Sequence, residues 1–265
     1  MTNLTKQVKT RLDVAMVSRG LAESRNQAQA IIMAGDVLVN GAVAPHASNS
    51  VRAADLIDLK AKPRFVSRGG EKLAQALEAF QIDPSNAVCV DLGASTGGFT
   101  DCLLQAGASK VYAIDVGHRQ LDDRLRRDRR VIVMERINAR YLEELPEAVS
   151  IAVIDVSFIS LKLILPVALV LLSDSGVCVP LIKPQFEAGK GQVGKGGVVR
   201  EPEIHRTVLR EILTFAAEHG FSVRDLIASP ILGPAGNREF LAHLVKSDDL
   251  GLNIEELIEK VVPTA

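Results

Sequence analysis

The stretch Ala87-Val88-Cys89-Val90-Asp91-Leu92-Gly93-Ala94-Ser95-Thr96-Gly97-Gly98-Phe99 decides how the rest of the chain is read. It begins as an apolar strand, ends that strand on a carboxylate and turns at once through Gly93, Gly97 and Gly98. Glycine lets a backbone approach a ligand closely and adopt conformations closed to other residues. A helix over Phe99–Gln105 is expected next. Further strand-like runs follow at Lys110–Ile114, Val131–Met134, Ile151–Ile154 and Gly176–Ile182, with helical patterns at Glu71–Phe80 and Ser160–Leu172. This alternation predicts an α/β fold, a mostly parallel sheet with helices on both faces and a binding crevice at the carboxyl ends of the strands. Ser222–Ala228 and Glu239–Val245 would complete the sheet, and Asn253–Val262 reads as a short terminal helix.

The glycine turn is not G-x-G-x-x-G, and no phosphate-binding lysine follows it. Its form suits a cofactor with an amino-acid end and no phosphate, which favours S-adenosylmethionine over NAD. Asp115 lies twenty-four residues beyond Asp91 at the end of the second strand, where an acidic side chain is placed for ribose hydroxyls. The plain alternative is a structural glycine turn. Gly189-Lys190-Gly191-Gln192-Val193-Gly194-Lys195-Gly196 is a near miss for a nucleotide-triphosphate loop. Gly196 stands where a Ser or Thr would have to reach magnesium, so that reading is rejected in favour of a mobile loop over the site.

Ahead of this body, residues 10–60 form a different pattern. Leu12, Ala15, Met16 and Leu21 fit a short amphipathic helix ending near Gly20; Ser24 is placed to cap a second helix carrying Ala28, Ile31 and Ile32 and stopped by Gly35. Val37–Val43 reads as a hairpin through Asn40-Gly41. Lys62-Pro63-Arg64-Phe65-Val66 interrupts both patterns and is expected to be a linker, which divides the chain into 1–62, a connection at 63–66, and 67–265.

The 265 residues carry 31 basic and 32 acidic side chains, a net charge of −1, so whole-chain charge predicts no polyanion partner. Residues 1–62 alone hold eight basic and five acidic side chains, a net of +3, compatible with a nucleic-acid-binding module. Arg119–Arg130 holds six arginines against three aspartates, either a phosphate grip or a solvated helix face. Cys89, Cys102 and Cys178 are far apart in apolar contexts and read as buried thiols of a reducing compartment. The five histidines show no metal-ligand spacing, so no metal is expected. The N-terminal residues show no apolar signal core, and the apolar run Leu163–Leu172 is too short to span a bilayer. A cytoplasmic protein without a membrane partner is expected.

Four polar residues stand out in patterned surroundings: Lys72 in Ser67-Arg68-Gly69-Gly70-Glu71-Lys72, Asp155 in Val153-Ile154-Asp155-Val156-Ser157-Phe158, Lys183 in Leu181-Ile182-Lys183-Pro184, and Glu239 in Gly236-Asn237-Arg238-Glu239-Phe240. Each alone reads as a solvated surface group. Asp155 and Lys183, however, both end strands on the rim that carries the glycine turn. Two lysines near one carboxylate there favour a lysine able to take up a proton, because a neighbouring cation and partial burial disfavour its charged form.

These residues carry a resemblance to known families. Arg11-Leu12-Asp13, Ser24-Arg25, Ala28, Ile32, Gly35, Val37 and Val39-Asn40-Gly41 resemble the αL RNA-binding motif of a ribosomal small-subunit protein, pseudouridine synthases and tyrosyl-tRNA synthetases. Lys72, Asp155, Lys183 and Glu239 match in order the Lys-Asp-Lys-Glu tetrad of FtsJ-like RNA ribose 2′-O-methyltransferases. Val66–Gly69, Gly93–Thr100, Asp155–Leu161 and Lys183–Gly194 are similar to the TlyA family, often labelled hemolysins. The chain departs at His118, where that family often has another residue.

The resemblance implies a Rossmann-like S-adenosylmethionine-dependent methyltransferase fold behind a small N-terminal α+β RNA-binding domain. It implies methylation of a ribose 2′-oxygen, a cytidine's, in ribosomal RNA, with ribosomal RNA or ribosomal subunits as partners. Lys183 would be the general base, Lys72 its neighbouring cation, Asp155 its holder, and Glu239 would position Lys72 or the ribose. Asp91, Gly93, Ser95, Thr96, Gly97, Gly98, Phe99, Asp115, Asn138 and Asp155 would bind the cofactor, with Asn138 at the adenine. Arg11, Arg25 and Arg68 would contact RNA. The alternatives are a membrane-active cytolysin, for which no insertion segment of sufficient length is found, and a non-catalytic RNA-binding factor, against which the intact tetrad argues.

Overall fold

In the computed structural model residues 9–60, 63–189 and 191–262 are described. Lys6, Lys62 and Lys190, and with them the outer ends of the expected first domain, lie outside the described residues. The chain forms two compact units that divide after Pro63.

The first unit contains β1 (Lys9–Arg11), α1 (Leu12–Ser18), α2 (Arg25–Met33), β2 (Val37–Val39), β3 (Ala42–Val43), β4 (Ser50–Arg52) and β5 (Ile57–Leu59). β1 pairs with β4, and β2 lies between β3 and β5, all antiparallel. The local signals act as read. Ser24 Oγ accepts from the amide of Gln27, 3.3 Å away, at the start of α2. Asn40 and Gly41 both take positive φ, 52° and 82°, the turn that matches strand twist in a two-residue hairpin. Leu12, Met16, Ala28, Ile32, Val37 and Val51 fill the core.

Asp13 is fully buried in that unit. Its carboxylate accepts two bonds of 3.0 Å from Arg11, one of 3.1 Å from Arg25 and one of 2.8 Å from Gln29. Two of the three arginines expected to contact RNA, Arg11 and Arg25, therefore already share an internal anion, which fixes where their exposed edges point. The Arg11 guanidinium, joined by Gln29 and Arg25, holds the Asp13 carboxyl well below the usual carboxylate range despite its burial.

The second unit contains α3 (Gly69–Ala79), β6 (Val88–Leu92), α4 (Gly98–Gln105), β7 (Lys110–Asp115), α5 (Asp123–Arg127), β8 (Val131–Glu135), β9 (Val149–Ile154), α6 (Leu165–Leu171), β10 (Leu172–Ile182), α7 (Pro184–Glu187), α8 (Pro202–Glu218), β11 (Phe221–Ala228), β12 (Phe240–Lys246) and α9 (Ile254–Val261). Its seven-stranded sheet runs β11-β12-β10-β9-β6-β7-β8. β6 to β10 are mutually parallel, and β12 inserts antiparallel to both β10 and β11. Alternate residues of the central strands feed two cores. Val90, Leu92, Ile114 and Ile154 pack under α6, α8 and α9, while Cys89, Val111, Ile151 and Val153 pack under α3 and α4. A sheet buried on both faces explains why these strands read as continuous apolar runs. Burial pushes the Cys89 and Cys102 thiols up to about 12, so neither is a reactive thiolate.

Three expectations need revision. The stretch 63–66 is not a free linker, because Phe65 is buried in the second core and the Val66 amide donates to Asp101 at 2.8 Å. Gly70 makes room for that ring, since a Cβ there would lie 2.2 Å from it. The helix expected over Ser160–Leu172 is instead a 3-10 turn, Leu161–Leu163, followed by α6, with Pro166 tolerated in the first turn. β10 starts at Leu172, ahead of the expected Gly176, and its register shifts before Val177.

Replacing Asp13 by Ala should destabilise the first unit by about 2 kcal/mol at neutral pH, the scale of losing hydrogen bonds to a charged group. Because the folded carboxyl is depressed, that difference should be present above about pH 4 and fade as pH falls further. Thermal unfolding of wild type and variant at pH 7 and pH 3 checks both statements.

Candidate active site

The order of the sheet reverses at β6, with β7 and β8 on one side and β9 and β10 on the other. A crevice opens at the carboxyl ends of the strands there. The Asp155 amide donates to the Leu92 carbonyl at 3.0 Å, and the Gly93 amide to that of Ile114 at 2.9 Å, so three strand ends are stitched together.

Gly93 has φ +92°, and a Cβ on it would meet the Asp155 carbonyl oxygen at 2.7 Å. Gly98 lies so close to the Ser67 hydroxyl that a Cβ would come within 2.2 Å. The turn is therefore packed from both sides. Asp91 is fully buried beneath it and accepts at one oxygen from the Thr100 amide (2.9 Å) and hydroxyl (2.7 Å), while its Oδ1 has no partner among the described residues. Burial pushes its carboxyl up to about 7, with Thr100 opposing the shift and Asp155 adding to it.

Asp115 ties two loops together. One oxygen accepts from Ser95 N at 2.8 Å and the other from Gly117 N at 2.7 Å. Asn138 accepts from Arg140 N at 3.1 Å and so caps the 3-10 turn Ala139–Tyr141. A cavity of about 440 Å³ lies among Gly93, Ser95, Asp115, Ile137, Asn138 and Asp155. It offers two carboxylates, a side-chain amide and backbone groups beside apolar Ile137, a set suited to a ligand that combines hydroxyls, an aromatic ring and a positive charge. Thr96, Gly98 and Phe99 line the neighbouring cavity. Asp91 and Gly97 line neither: Asp91 sits below the turn, and Gly97 faces Leu121 and Leu125. Their part is to build the turn.

The neighbouring cavity, about 580 Å³, shares Gly93, Ser95 and Asp155 with the first and is lined by all four tetrad residues. Lys183 Nζ lies 2.7 Å from Asp155 Oδ1 and donates to Ser157 Oγ at 2.9 Å. Lys72, from α3, forms an ion pair with Glu239, and both side chains are nearly sealed from solvent. Gln185 Nε2 donates to the other Glu239 oxygen at 3.3 Å. Each lysine thus has its own carboxylate. Lys72, expected as a cation beside Lys183, has its charge balanced by Glu239.

Several supporting residues carry no separate signal in the sequence. Glu187, raised by burial, accepts from Ser160 Oγ at 2.6 Å and Leu161 N at 2.8 Å, anchoring the loop after Asp155. Asn237, buried, accepts from Val199 N at 2.9 Å and donates to the Gly197 carbonyl at 2.8 Å. That pins the glycine-rich loop, whose Gly196 and Gly197 line the larger cavity. Phe158 stands at the mouth, 90% exposed with φ +63°, its ring 4.8 Å from that of Phe186. Arg68 is exposed on the same rim. The arginine-rich segment is largely self-neutralised: Arg124 pairs with Asp122, Arg126 with Glu135, Arg127 with Asp123 and Arg130 with Asp128. Among the described residues no cluster of three or more His, Cys, Asp or Glu could hold a metal ion, and no helix is long and apolar enough to cross a membrane.

A strand-order reversal, a glycine turn and two lysine–carboxylate pairs meet at one crevice, the arrangement of a Rossmann-like methyltransferase. Residues 65–246 match the family model of the FtsJ-like methyltransferase, and residues 10–57 that of the S4 domain. The chain is 44% identical over 259 residues to the 16S/23S rRNA (cytidine-2′-O)-methyltransferase TlyA of Mycobacterium tuberculosis, covering 96% of both chains. It is also 44% identical to Hemolysin A of Brachyspira hyodysenteriae, over 89% of this chain and 99% of that one. A solved structure of a hemolysin-labelled protein from Streptococcus thermophilus, 47% identical, superposes with a TM-score of 0.75 over 96% of this chain and 94% of that one. The chain belongs to the TlyA family of FtsJ-like methyltransferases with an N-terminal S4 domain.

The raised Asp91 carboxyl has a consequence for stability. Its neutral form contributes fully below the unfolded value near 4, and that contribution is lost as pH rises through about 7. Relative to Asp91→Asn, the wild type should lose on the order of 2 kcal/mol between pH 5 and pH 8. Denaturant unfolding of both proteins across that range checks it; a pH-independent gap would mean the carboxyl is ionised throughout.

Proposed function

We propose that this protein transfers a methyl group from S-adenosylmethionine to the 2′-oxygen of a ribose, a cytidine's, in ribosomal RNA, with Lys183 as general base. The observation that carries the reading is the Lys183–Asp155 pair in a cavity that shares its wall with the one holding Asp115 and Asn138. The residues of the smaller cavity fit the cofactor. Asp115 would accept from ribose hydroxyls, Asn138 and Ile137 would flank the adenine, and the Gly93–Ser95 turn would meet the amino-acid end. S-adenosylmethionine supplies an already activated methyl group.

The chain's own task is alignment and removal of one proton. Lys183 first releases a proton to solvent; its amine then takes the hydroxyl proton as the oxygen attacks, and Asp155, 2.7 Å away, stabilises the ammonium that re-forms. Ser157 keeps the amine from rotating away. Lys72, its charge balanced by Glu239, presents an N–H donor to orient the ribose. At the mouth, Phe158 and Phe186 offer aromatic faces for an unstacked base, a common mode of single-stranded RNA recognition. The S4 domain, with the outer edges of Arg11 and Arg25, and Arg68 on the rim would grip structured RNA. The relative from Mycobacterium tuberculosis, whose name states this reaction, supports the reading. With ribosomal RNA as its substrate, the protein would work in the cytoplasm.

Lys183→Ala should lower the transfer rate by about 10² to 10⁴ while changing S-adenosylmethionine affinity less than twofold. The check is labelled-methyl incorporation into purified ribosomal subunits beside calorimetric cofactor binding. Equal loss of binding would show that Lys183 serves the cofactor and not the proton.

A further inference from the structure

A second cavity of about 470 Å³ adjoins the catalytic one, lined among others by Val199, Arg200, His205, Ala235 and Arg238. Ala235 lines both. The segment leading into β12 forms the partition. Asn237 and Glu239 are buried on the catalytic side, and Arg238 between them is exposed and faces the second cavity. The glycine-rich loop continues from the catalytic cavity, at Gly197, into the second one at Val199 and Arg200.

Arg200 and Arg238 supply the charge here. Among the described residues neither makes an ion pair, and Glu201, adjacent to Arg200, makes none either. Arg206, one turn along α8, is committed elsewhere, to Glu203, Glu259 and the Val262 carbonyl. His205 is buried with Nε2 3.2 Å from the Val199 carbonyl, and burial, helped by the charge of Arg238, lowers its basicity. The cavity is thus a concave site with two unneutralised guanidinium groups, the geometry suited to an oxyanion with several acceptor oxygens.

We propose that this cavity receives a phosphodiester group of the same RNA strand whose ribose enters the catalytic cavity, at a nucleotide beside the target. The inference rests on the RNA-methylation reading. A ribose held against Lys183 carries phosphate on both sides, and the strand must leave the catalytic cavity across its rim. At the Ala235 partition the next cavity along that rim presents two arginines that make no ion pair among the described residues. An acidic protein segment would satisfy the charge but would have no reason to be continuous with the ribose site. The contacts position the strand and carry no base specificity.

The test uses the full chain with Arg200→Ala/Arg238→Ala, beside Arg200→Lys/Arg238→Lys as a charge-keeping control. Transfer to ribosomal subunits, binding of a single-stranded ribo-oligonucleotide at several salt concentrations, and S-adenosylmethionine affinity are measured. The alanine variant should raise KM for the RNA substrate at least tenfold with kcat changed less than threefold and cofactor affinity unchanged. The log–log salt slope of RNA binding should fall by about one per lost phosphate contact. The lysine variant should recover most of the binding. Unchanged KM and salt slope would overturn the proposal while leaving the methylation reading intact. Weaker binding to subunits with unchanged binding to bare RNA would overturn it in favour of a ribosomal protein contact. If wild type transferred no methyl group yet the alanine variant still lost RNA affinity and slope, the methylation reading would fail and the phosphate site would stand.

Discussion

Two ammonium groups cannot share a water-poor cavity unless each has its own counter-charge. Moving a lone charge out of water costs several kcal/mol even after the protein relaxes. Here Lys72 is matched by Glu239 and Lys183 by Asp155, and the rest of the second unit is arranged to keep these pairs apart but open to one space. The four residues come from α3, the end of β9, the end of β10 and the approach to β12. The parallel pairing of β9 with β10, and the antiparallel insertion of β12 that sets Phe240 opposite Ile182, bring the strand points to one rim. The two pairs also differ in kind. The lysines are buried to a similar degree, but Glu239 is almost sealed, which suits a fixed pair with Lys72, whereas Asp155 is a quarter exposed, which suits a pair that must exchange a proton.

Around the pairs, each loop of the crevice is held by one polar side chain. Asp91 fixes the start of α4 through Thr100, Asp115 joins the loops after β6 and β7, Glu187 anchors the loop after β9, and Asn237 holds the glycine-rich loop. Catalysis by alignment depends on such supporting contacts, because a misplacement of about an ångström can cost a large part of the rate. Asp13 has the same part in the S4 domain, where one internal carboxylate orients two arginines. In both units a buried anion organises the groups that face a polyanionic substrate.

Much of this is legible in the sequence because its signals are local. The strand from Val88, the glycine turn, the capped helix after Ser24 and the Asn40-Gly41 hairpin follow from short-range chemistry, and the tetrad stands in distinctive surroundings. What is not legible depends on partners distant in sequence. That Glu239 neutralises Lys72 joins residues 167 positions apart, and no local pattern states it. Asn237 lies inside a distinctive motif, yet its bonds to Gly197 and Val199 emerge only once the loop is folded. Phe65 sits in a stretch broken by proline and charge that reads as a connection, although its ring is a core element of the second unit. α8 is absent from the elements expected from the sequence. Pro202 in its first turn and apolar residues at Val208, Leu209, Ile212 and Leu213 are its local signals, overshadowed by the glycine-rich loop before it.

The most direct test is where the methyl group lands. Ribosomal subunits treated with the protein and labelled S-adenosylmethionine would be stripped to RNA and hydrolysed with alkali, which cleaves only where a 2′-hydroxyl is free. Proton removal from a ribose by Lys183 predicts label in an alkali-resistant dinucleotide whose 5′ member is a 2′-O-methylated cytidine. Label released in ordinary mononucleotides, with the methyl group on a base, would contradict Lys183 as the base for a ribose hydroxyl and the paired carboxylates as its support.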